Sequence, residues 1–231
     1  MNLKNKIILL TGASTGIGKS IAKSFLDKGA KVIVFGLHKP EFCSEFHKVN
    51  VSKEDEIISA LSKVKKIDVL VNNAGVAKIA TITETSNESL DEMFNINFKG
   101  LFWMSKHSIS KINDNGCIIN ISSLAGLKSF EGLGIYCATK SAVISLTKTL
   151  ALELANRKIR ANCIAPGAIN TGIWEKIYHL EGRKKLKEDE DFVLLKRSGR
   201  PEEIAKTAIF LCENDYINGE TILVDGGANV Q

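Results

Sequence analysis

Short apolar runs alternate with longer amphipathic stretches along the whole chain, and this alternation constrains the fold more than any other feature. Most of the apolar runs are hydrophobic at consecutive positions, as strands buried on both faces of a parallel sheet are. The predicted strands are 7–10, 32–35, one near residue 49, 69–71, 118–121, 160–164 and 221–224, and the predicted helices are 17–28, 53–65, 87–111, 135–156 and 201–213. Repeated alternation of strand and helix predicts an α/β fold in which helices cover both faces of a doubly wound parallel sheet of about seven strands.

One connection in this pattern is unusually short. Only about a dozen residues, with Pro40 among them, join the predicted second strand to the third, which is close to the minimum for a crossover between parallel strands. Because proline also disrupts helix interiors, we expect an abbreviated or absent helix there. Helix ends are indicated elsewhere by Gly29, which follows the first predicted helix, and by Pro201, which opens the last.

The bulk composition limits the classes of protein and partner. With 231 residues, 44% of them hydrophobic and 25% charged, the chain fits a single domain, residues 1–231, with a full-sized core. The net charge of +5 is spread without a run of like charges, so we expect no nucleic-acid partner. The apolar run at residues 7–10 is too short for a signal peptide or a membrane span, so we expect no membrane association.

Cysteine and histidine spacing excludes two further kinds of site. The five cysteines are scattered and form no Cys-x-x-Cys pair, so the sequence indicates neither a disulfide framework nor a zinc site. The four histidines stand alone, without metal-ligand spacing, and we expect no metal. A reducing cytoplasm is the compartment that this cysteine usage favours.

A glycine-rich turn with Gly12, Gly16 and Gly18 directly follows the first predicted strand. Glycines permit a tight turn and a close approach of the backbone to a pyrophosphate, and the next helix offers its unpaired N–H groups to an anion. The spacing is Gly-x-x-x-Gly-x-Gly rather than Gly-x-Gly-x-x-Gly, and it does not match a P-loop. The turn therefore predicts a nucleotide site but not a nucleotide triphosphatase. The alternative is a turn that only lets the helix pack on the sheet.

A tyrosine and a lysine four residues apart, Tyr136 and Lys140, carry the candidate chemistry. Positions i and i+4 share a helix face, so the phenol and the ammonium can point into the same space. At about 4 Å and an effective dielectric of ~20, the attraction is ~4 kcal/mol, which predicts a tyrosine pKa lowered by roughly three units, towards the working range of a general acid or base. Ser123 precedes the tyrosine by thirteen residues. The alternative is a core tyrosine beside an unrelated surface lysine.

Taken together, these motifs resemble those of the short-chain dehydrogenase/reductase family. The matching segments are Thr11-Gly12-x-x-x-Gly16-Ile17-Gly18, Asn72-Asn73-Ala74-Gly75, Asn97 in Asn-Ile-Asn-Phe-Lys-Gly, Ser123, Tyr136-x-x-x-Lys140, Pro166-Gly167, Gly219-Glu220-Thr221 and Val224-Asp225-Gly226-Gly227. They occur in the family's order and usual spacing, and they cover essentially the whole chain. The resemblance implies a Rossmann-type sheet and an oxidoreductase that transfers hydride between a nicotinamide cofactor and a ketone or secondary alcohol.

The resemblance also implies a role for each catalytic residue. Tyr136 would exchange a proton with the substrate oxygen, and Ser123 would hydrogen-bond that oxygen as charge develops. Lys140 would lower the tyrosine pKa and bind the nicotinamide ribose. Asn97 would position a water in a proton relay that reaches the lysine, or would only cap or bend its helix. The implied cofactor-binding residues are Gly12, Ser14, Thr15, Gly16, Ile17, Gly18, Gly36, Leu37, His38, Lys39, Asn50, Val51, Asn73, Ala74, Gly75, Tyr136, Lys140, Pro166, Gly167, Ile169 and Thr171.

The resemblance also assigns segments of the chain to regions of the cofactor. The segment 72–75 would close the adenosine side of the pocket. Pro166 and Gly167 would lie beside the nicotinamide, with Thr171 near its carboxamide. For Thr171 the alternative is a residue that only starts a helix.

The residues after the second strand bear on the choice of cofactor. NAD-preferring relatives usually carry an aspartate at the position of Gly36, where a carboxylate accepts hydrogen bonds from the ribose hydroxyls and repels a 2′-phosphate. Here no carboxylate is present, and His38 and Lys39 offer a donor and a positive charge. Thr15 is the counter-indication, because many NADP-using relatives have arginine or lysine there. The sequence favours NADP over NAD.

The substrate side is less constrained. In this family the region after Thr171 usually folds over the substrate, so we expect a lid within 173–200. Apolar residues at 173, 174, 177, 178 and 180 suit one face of a short helix, either as a lid or as plain packing. The overall pattern resembles bacterial 3-oxoacyl-thioester reductases, which implies a small carbonyl or alcohol substrate, with a thioester as the best candidate.

Two other functions stay open on the sequence. One is an NAD-dependent diol or alcohol dehydrogenase, because the short connection after the second strand resembles that of certain dihydrodiol dehydrogenases. The other belongs to a different class, a nucleotide-sensing protein without catalysis. Sugar-nucleotide epimerases share this tyrosine and lysine spacing but carry a C-terminal substrate domain, and because the last predicted strand ends near Val224 we do not expect an epimerase. Relatives commonly assemble through the helices corresponding to 87–111 and 135–156, which implies a homotetramer or a homodimer.

Overall fold

The computed structural model describes residues 1–171, 190 and 192–231, and these residues form a seven-stranded parallel sheet with helices on both faces. The strands are β1 (Ile7–Thr11), β2 (Lys31–Gly36), β3 (Glu45–Lys48), β4 (Ile67–Asn72), β5 (Ile112–Ile121), β6 (Arg160–Pro166) and β7 (Thr221–Val224). The α-helices are α1 (Gly16–Asp27), α2 (Glu54–Leu61), α3 (Asn87–Met93), α4 (Leu101–Ser108), α5 (Gly134–Glu153) and α6 (Pro201–Glu213). Short 3-10 helices cover Ile109–Lys111, Leu124–Gly126, Ala155–Arg157 and Ala228–Val230. The predicted α/β class is confirmed.

The strand order in the sheet is β3-β2-β1-β4-β5-β6-β7, so β2 and β3 lie on one side of β1 and β4 to β7 lie on its other side. The chain builds outward from β1 to β3, then crosses back to place β4 on the other side of β1, and all neighbouring pairs are parallel. At such a switch point the loops that follow the two central strands diverge and leave a crevice at the carboxyl edge of the sheet. The fold therefore locates a ligand site after β1 and β4.

Apolar layers on both faces of the sheet hold that edge in place. On one face Phe25 of α1 and Ile204 of α6 pack against the strands. On the other face Ile57 of α2 and Met104 of α4 do so. Every residue of β4 is buried, which explains why its centre, residues 69–71, is apolar at consecutive positions. Burying one large aliphatic or aromatic side chain contributes about 1.5–3 kcal/mol, so the two layers together fix the positions from which the loops emerge.

The short connection between β2 and β3 contains no helix, as expected, and all of its residues are described. The third strand lies slightly earlier than predicted. It pairs with β2 from Ile33 opposite Glu45 to Gly36 opposite Lys48, and Val49 only continues the ladder by donating to the Gly36 carbonyl at 3.0 Å. This edge strand is only half buried, so it has no apolar run that could mark its start.

The predicted helix 87–111 forms, but its middle is not α-helical. A π-helical segment, Phe94–Gly100, joins α3 to α4 and carries Asn97. Gly100 lets this segment approach the loop after β3, because a Cβ there would lie 2.8 Å from the Val51 carbonyl oxygen. Such π-helical turns occur frequently at functional sites.

Both predicted helix-end signals are confirmed. Gly29 follows α1 with φ +78°, and Pro201 is the first residue of α6. Within the described ranges, none of the helices has the length and apolarity that crossing a membrane would require. Most of the expected lid at 173–200 falls outside the described residues.

Candidate active site

A cleft of about 1100 Å³ opens at the carboxyl edge of the sheet, where the loops after β1 and β4 diverge. The glycine turn after β1 lines one part of it. Ser123, Tyr136 and Lys140 line another part. One cleft therefore contains both the predicted nucleotide turn and the candidate reactive side chains.

The glycine turn is packed so closely that side chains would not fit at its key positions. A Cβ on Gly18 would lie 2.2 Å from the carbonyl oxygen of Gly12. Gly12 itself has φ +71°, in the left-handed region that favours glycine. The first turn of α1 contains no acidic residue, so nothing there opposes an anion at the positive end of the helix. Bare backbone and an open helix N-terminus fit the pyrophosphate of a dinucleotide.

Asn73 fastens the glycine turn to the loop after β4. Its side-chain amide donates to the carbonyl oxygens of Thr11 at 3.0 Å and Gly12 at 2.8 Å. The backbone N–H groups of Asn73 and Ala74 donate to the hydroxyl of Thr11 at 3.0 and 3.1 Å. Since four hydrogen bonds join the two loops, the shape of the turn depends on β4 as well as on its own glycines.

Two elements bring the three reactive side chains together. Ser123 is the second residue after β5, and its hydroxyl accepts a hydrogen bond from the Ala125 N–H at 3.1 Å. Tyr136 and Lys140 lie on successive turns of α5, and the lysine Nζ lies 5.7 Å from the centroid of the tyrosine ring. The predicted sharing of one helix face by the phenol and the ammonium is confirmed.

The predicted lowering of the tyrosine pKa is wrong. Desolvation raises the pKa of Tyr136 above its usual value, although an interaction with the Ser123 hydroxyl opposes this. Burial also lowers the pKa of Lys140 to about 8, because this lysine is only 4% exposed. Its Nζ donates to the Ile121 carbonyl oxygen at 3.0 Å. In the folded protein, desolvation of both groups outweighs the Coulomb attraction between them.

Asn97 supports the site from behind rather than lining the cleft. Its Oδ1 accepts from the Val76 N–H at 2.8 Å, and its Nδ2 donates to the Val76 carbonyl at 2.8 Å and to the Thr139 hydroxyl at 3.2 Å. A Cβ on Gly75 would lie 3.3 Å from this Oδ1 and 3.4 Å from the Lys140 Nζ. The π-helical segment therefore holds the loop after β4 against Lys140.

Nearly all of the site residues predicted from the sequence line the cleft. These are Gly12, Ser14, Thr15, Gly16, Ile17, Gly18, Gly36, Leu37, His38, Asn50, Val51, Asn73, Ala74, Gly75, Ser123, Tyr136, Lys140, Pro166, Gly167, Ile169 and Thr171. Asn97 and Lys39 do not line it. Lys39 is an exposed residue of the loop after β2. Thr171 lies against the glycine turn, since a Cβ on Gly16 would be 3.1 Å from its Cβ.

The expected placement of Asn72 at the adenosine side is wrong. It is buried at the end of β4, where its Nδ2 donates to Ser105 Oγ at 3.1 Å and to Asn120 Oδ1 at 2.9 Å. Asn120 in turn donates to the Thr147 hydroxyl at 2.9 Å. Because these residues belong to β4, α4, β5 and α5 and do not line the cleft, the network fixes the elements beneath it.

Sequence reasoning missed one wall of the cleft. The additional lining residues on this side are Val76, Ala77, Lys78, Ile79, Ala80, Thr85, Ser89, Met93, Ile96, Gly132 and Ile135. One signal for them was available, because residues 76–85 lack strand and helix patterns and leave the sheet at the same edge as the glycine turn. Loops that emerge beside a rigid binding edge commonly carry specificity.

Sequence comparisons agree with this geometry. A family model described as enoyl-(acyl carrier protein) reductase matches residues 12–229. A 3-oxoacyl-[acyl-carrier-protein] reductase of Thermotoga maritima is 36% identical over 247 residues, covering 98% of this chain and 99% of that protein. The reductase of the same name from Chlamydia trachomatis is 37% identical, covering 97% of this chain and 98% of that protein. Carbonyl reductase family member 4 of Xenopus laevis is 35% identical, covering 96% and 98%.

Solved structures with the same fold also cover nearly the whole chain. The aldohexose dehydrogenase of Thermoplasma acidophilum superposes with a TM-score of 0.93 at 32% identity, covering 99% of this chain and 96% of that one. A short chain dehydrogenase family protein of Francisella tularensis superposes with a TM-score of 0.90 at 25% identity, covering 98% and 99%. The chain therefore belongs to the short-chain dehydrogenase/reductase family and is an NAD(P)-dependent oxidoreductase that acts on CH–OH and C=O groups.

Proposed function

We propose that this enzyme reduces a 3-oxoacyl thioester to the 3-hydroxyacyl thioester, with NADPH as the reductant and Tyr136 as the proton donor. The observation that carries the proposal is the convergence of Ser123, Tyr136 and Lys140 on the cleft that also contains the glycine turn. Because one space holds both, a carbonyl at Ser123 and a nicotinamide beside it would meet within reach of the phenol.

The chain's own residues fit a dinucleotide along the length of the cleft. The glycine turn and the start of α1 would hold the pyrophosphate through backbone N–H groups. Gly36 and His38 would border the adenosine ribose, and Pro166 and Gly167 the nicotinamide. When bound, the reduced nicotinamide supplies the hydride, and the protein supplies orientation and electrostatics.

The proton chemistry falls to three side chains. Tyr136 donates its phenolic proton to the substrate oxygen, which becomes a hydroxyl. The Ser123 hydroxyl donates a hydrogen bond to the same oxygen as negative charge develops on it. Lys140 binds the ribose of the nicotinamide half and, when charged, stabilises the phenolate that remains. Asn97 is a positioning residue, because it acts through the loop that lies against the lysine.

The raised pKa of Tyr136 keeps the phenol protonated, as the proposed role of proton donor requires. Desolvation holds the proton on the phenol, and a protonated phenol is the form that a reductase needs at the start of each turnover. Oxidation would begin instead with a phenolate, which the same desolvation disfavours.

NADPH is proposed over NADH because of the charges at the adenosine end. The described residues that line the cleft include no aspartate or glutamate, so nothing there repels a 2′-phosphate. Gly36 leaves open the position where a carboxylate would bind the ribose hydroxyls. His38 lines the cleft and can donate a hydrogen bond, and the adjacent Lys39 is exposed and adds positive charge nearby.

The 3-oxoacyl thioester is proposed because the relatives from Thermotoga and Chlamydia carry that activity in their names.

We also propose that the enzyme is cytoplasmic and that it assembles as a homotetramer or a homodimer. The proposed assembly follows the family, whose members commonly associate through the helices that correspond to 87–111 and 135–156. Light scattering of the purified protein gives the number of subunits. A monomeric mass would contradict the proposed assembly without affecting the chemistry.

The mechanism is tested with Tyr136→Phe and the 3-oxobutyryl thioester of N-acetylcysteamine, following the absorbance of the reduced cofactor. Removing a general acid typically costs ~10²–10⁴-fold in turnover, while the cofactor dissociation constant should change by less than about threefold. Tyr216→Phe is the matched control, because Tyr216 is 97% exposed and does not line the cleft. An unimpaired Tyr136→Phe enzyme would refute the mechanism. Wild-type enzyme that reduces ketones but no 3-oxoacyl thioester would refute the substrate.

A further inference from the structure

The wall formed by residues 76–85 is held at two points beside the reactive side chains. At one end the backbone of Val76 makes two hydrogen bonds with Asn97, next to Lys140. Near its middle the Ala80 N–H donates to the Gly132 carbonyl at 2.9 Å. Gly132 lies one turn before Tyr136, so this segment, which we call the strap, crosses from the lysine to the start of α5.

Glycines beneath the strap let its isoleucines sit close to the backbone of the loop before α5. A Cβ on Gly132 would lie 3.1 Å from the Cγ2 of Ile79, and φ +73° at this glycine is in the left-handed region. A Cβ on Gly134 would lie 2.7 Å from the Cδ1 of Ile82. The two isoleucines are 41% and 71% exposed, but only Ile79 lines the cleft. Of its two isoleucines, the strap therefore presents Ile79 to the cleft.

The surface around Ile79 is apolar. Ile135, which follows the loop that contains Gly132, also lines the cleft, as do Met93 and Ile96. The polar residues that line the cleft on the strap and on α3, namely Lys78, Thr85 and Ser89, already have partners. Lys78 pairs with Glu92, the Thr85 hydroxyl donates to the Thr81 carbonyl at 2.8 Å, and Ser89 Oγ accepts from Ser86 Oγ at 3.2 Å. Such a surface gains free energy by covering alkyl groups and offers little to hydroxyls or amides.

This chemistry discriminates between substrates that related enzymes take. A sugar presents a hydroxyl on nearly every carbon, and each one that loses water without a partner costs free energy. The described lining residues include no carboxylate that could accept such hydroxyls. An alkyl chain, in contrast, loses only unfavourable contact with water.

Resting on the proposed thioester reduction, we propose that Ile79 and Ile135 form an apolar subsite that binds the alkyl end of the substrate, with Ile79 of the strap setting the preference for chain length. The reacting carbonyl lies at Ser123 and Tyr136, and the alkyl chain extends from it along the strap. The polar thioester arm leaves the cleft by another side.

The experiment compares kcat/KM for the 3-oxobutyryl and 3-oxooctanoyl thioesters of N-acetylcysteamine in wild type, Ile79→Asn and Ile82→Asn. A fully buried methylene contributes about fourfold, so even partial burial predicts a wild-type preference for the longer chain of about tenfold or more. Ile79→Asn should reduce that preference at least about threefold, by raising KM for the longer substrate. Ile82→Asn is the matched control, since it makes the same change on the same strap outside the cleft, and its preference should equal that of wild type.

A wild-type preference near one, or an equal loss of preference in the two variants, would overturn the subsite while leaving thioester reduction intact. Failure to reduce any thioester would instead remove the proposed function. In that case the same three proteins are assayed with butan-2-one and octan-2-one. A preference for the longer ketone that Ile79→Asn weakens and Ile82→Asn does not would uphold the subsite by itself, and any other outcome with the ketones would overturn it.

Discussion

Replacing the buried Lys140 by methionine should make the protein more stable while it destroys the enzyme. The lysine is 4% exposed, and burial lowers its pKa from 10.5 to about 8. That difference of about 2.5 pKa units corresponds to roughly 3 kcal/mol of unfavourable free energy for the charged form near neutral pH. Methionine has a similar length and no charge, but it leaves the Ile121 carbonyl without its donor, which costs ~1–3 kcal/mol. We expect a net increase of up to about 2 kcal/mol in the free energy of unfolding.

The pH dependence separates this effect from ordinary packing. Between about pH 8 and the unfolded value of about 10.5 the unfolded chain binds more protons at this lysine than the folded chain. The free energy of unfolding of wild type therefore rises with pH across that window. The unfavourable contribution of the buried ammonium, which is fully present below pH 8, disappears over the same range. The advantage of Lys140→Met over wild type should consequently shrink as pH rises from 8 towards 10.5.

Urea unfolding of the protein without cofactor, followed by circular dichroism at a series of pH values, measures this difference. Lys148→Met is the matched control, because Lys148 lies on the same helix but is exposed, so its variant should follow wild type within ~0.5 kcal/mol at every pH. A Lys140→Met protein less stable than wild type near pH 7, or an advantage that stays constant up to pH 10, would refute the reasoning.

Three further predictions concern the cofactor. Gly18→Ala should abolish cofactor binding and lower the free energy of unfolding by more than ~2 kcal/mol, because its Cβ would lie 2.2 Å from the Gly12 carbonyl oxygen. Gly36→Ala should be tolerated, because its Cβ would lie 3.8 Å or more from Gly12. Fluorescence titration with NADPH and thermal melts compare the two variants. Gly36→Asp should shift the ratio of kcat/KM for NADPH over NADH towards NADH by at least about tenfold, and an unchanged ratio would contradict the proposed position of the ribose. Affinity for NADPH should fall as pH rises through about 8, where Lys140 loses its charge, and a Lys140→Met protein should lose that dependence; a flat profile in wild type would contradict it.

The fold was predictable because its strands are buried on both faces. Residues of β4 such as Val69 and Val71 are apolar at consecutive positions and lie at the centre of the sheet. The edge strand β3 was placed too late, because its residues are half exposed and carry no such run. The π-helical turn around Asn97 was not predictable from periodicity, since it depends on the contact between Gly100 and the loop after β3.

The candidate site was predictable where chemistry and spacing coincide. The distance of four residues from Tyr136 to Lys140 fixes a shared helix face in any α-helix. The protonation preferences were not predictable in the same way, because desolvation depends on which tertiary neighbours exclude water. Asn72 shows the same limit. Its motif resembled a cofactor contact, but its partners Ser105 and Asn120 come from distant parts of the chain and place it in the core.

The unfavourable burial of Lys140 persists because the chain fixes the backbone of this residue from outside the helix. The Ser122 hydroxyl donates to the Lys140 carbonyl at 2.8 Å, and the Ser141 hydroxyl donates to the Gly126 carbonyl at 2.9 Å. A Cβ on Gly126 would lie 2.9 Å from the same Lys140 carbonyl, so only glycine lets α5 approach the loop after β5 this closely. Given that approach, the lysine side chain has to lie under the loop, with its Nζ against Ile121 and the phenol of Tyr136 at the cleft. The contacts that bury the ammonium of Lys140, and so lower the free energy of unfolding, are therefore the same contacts that place it beside the proton donor. For this reason removing the ammonium should raise stability and abolish catalysis.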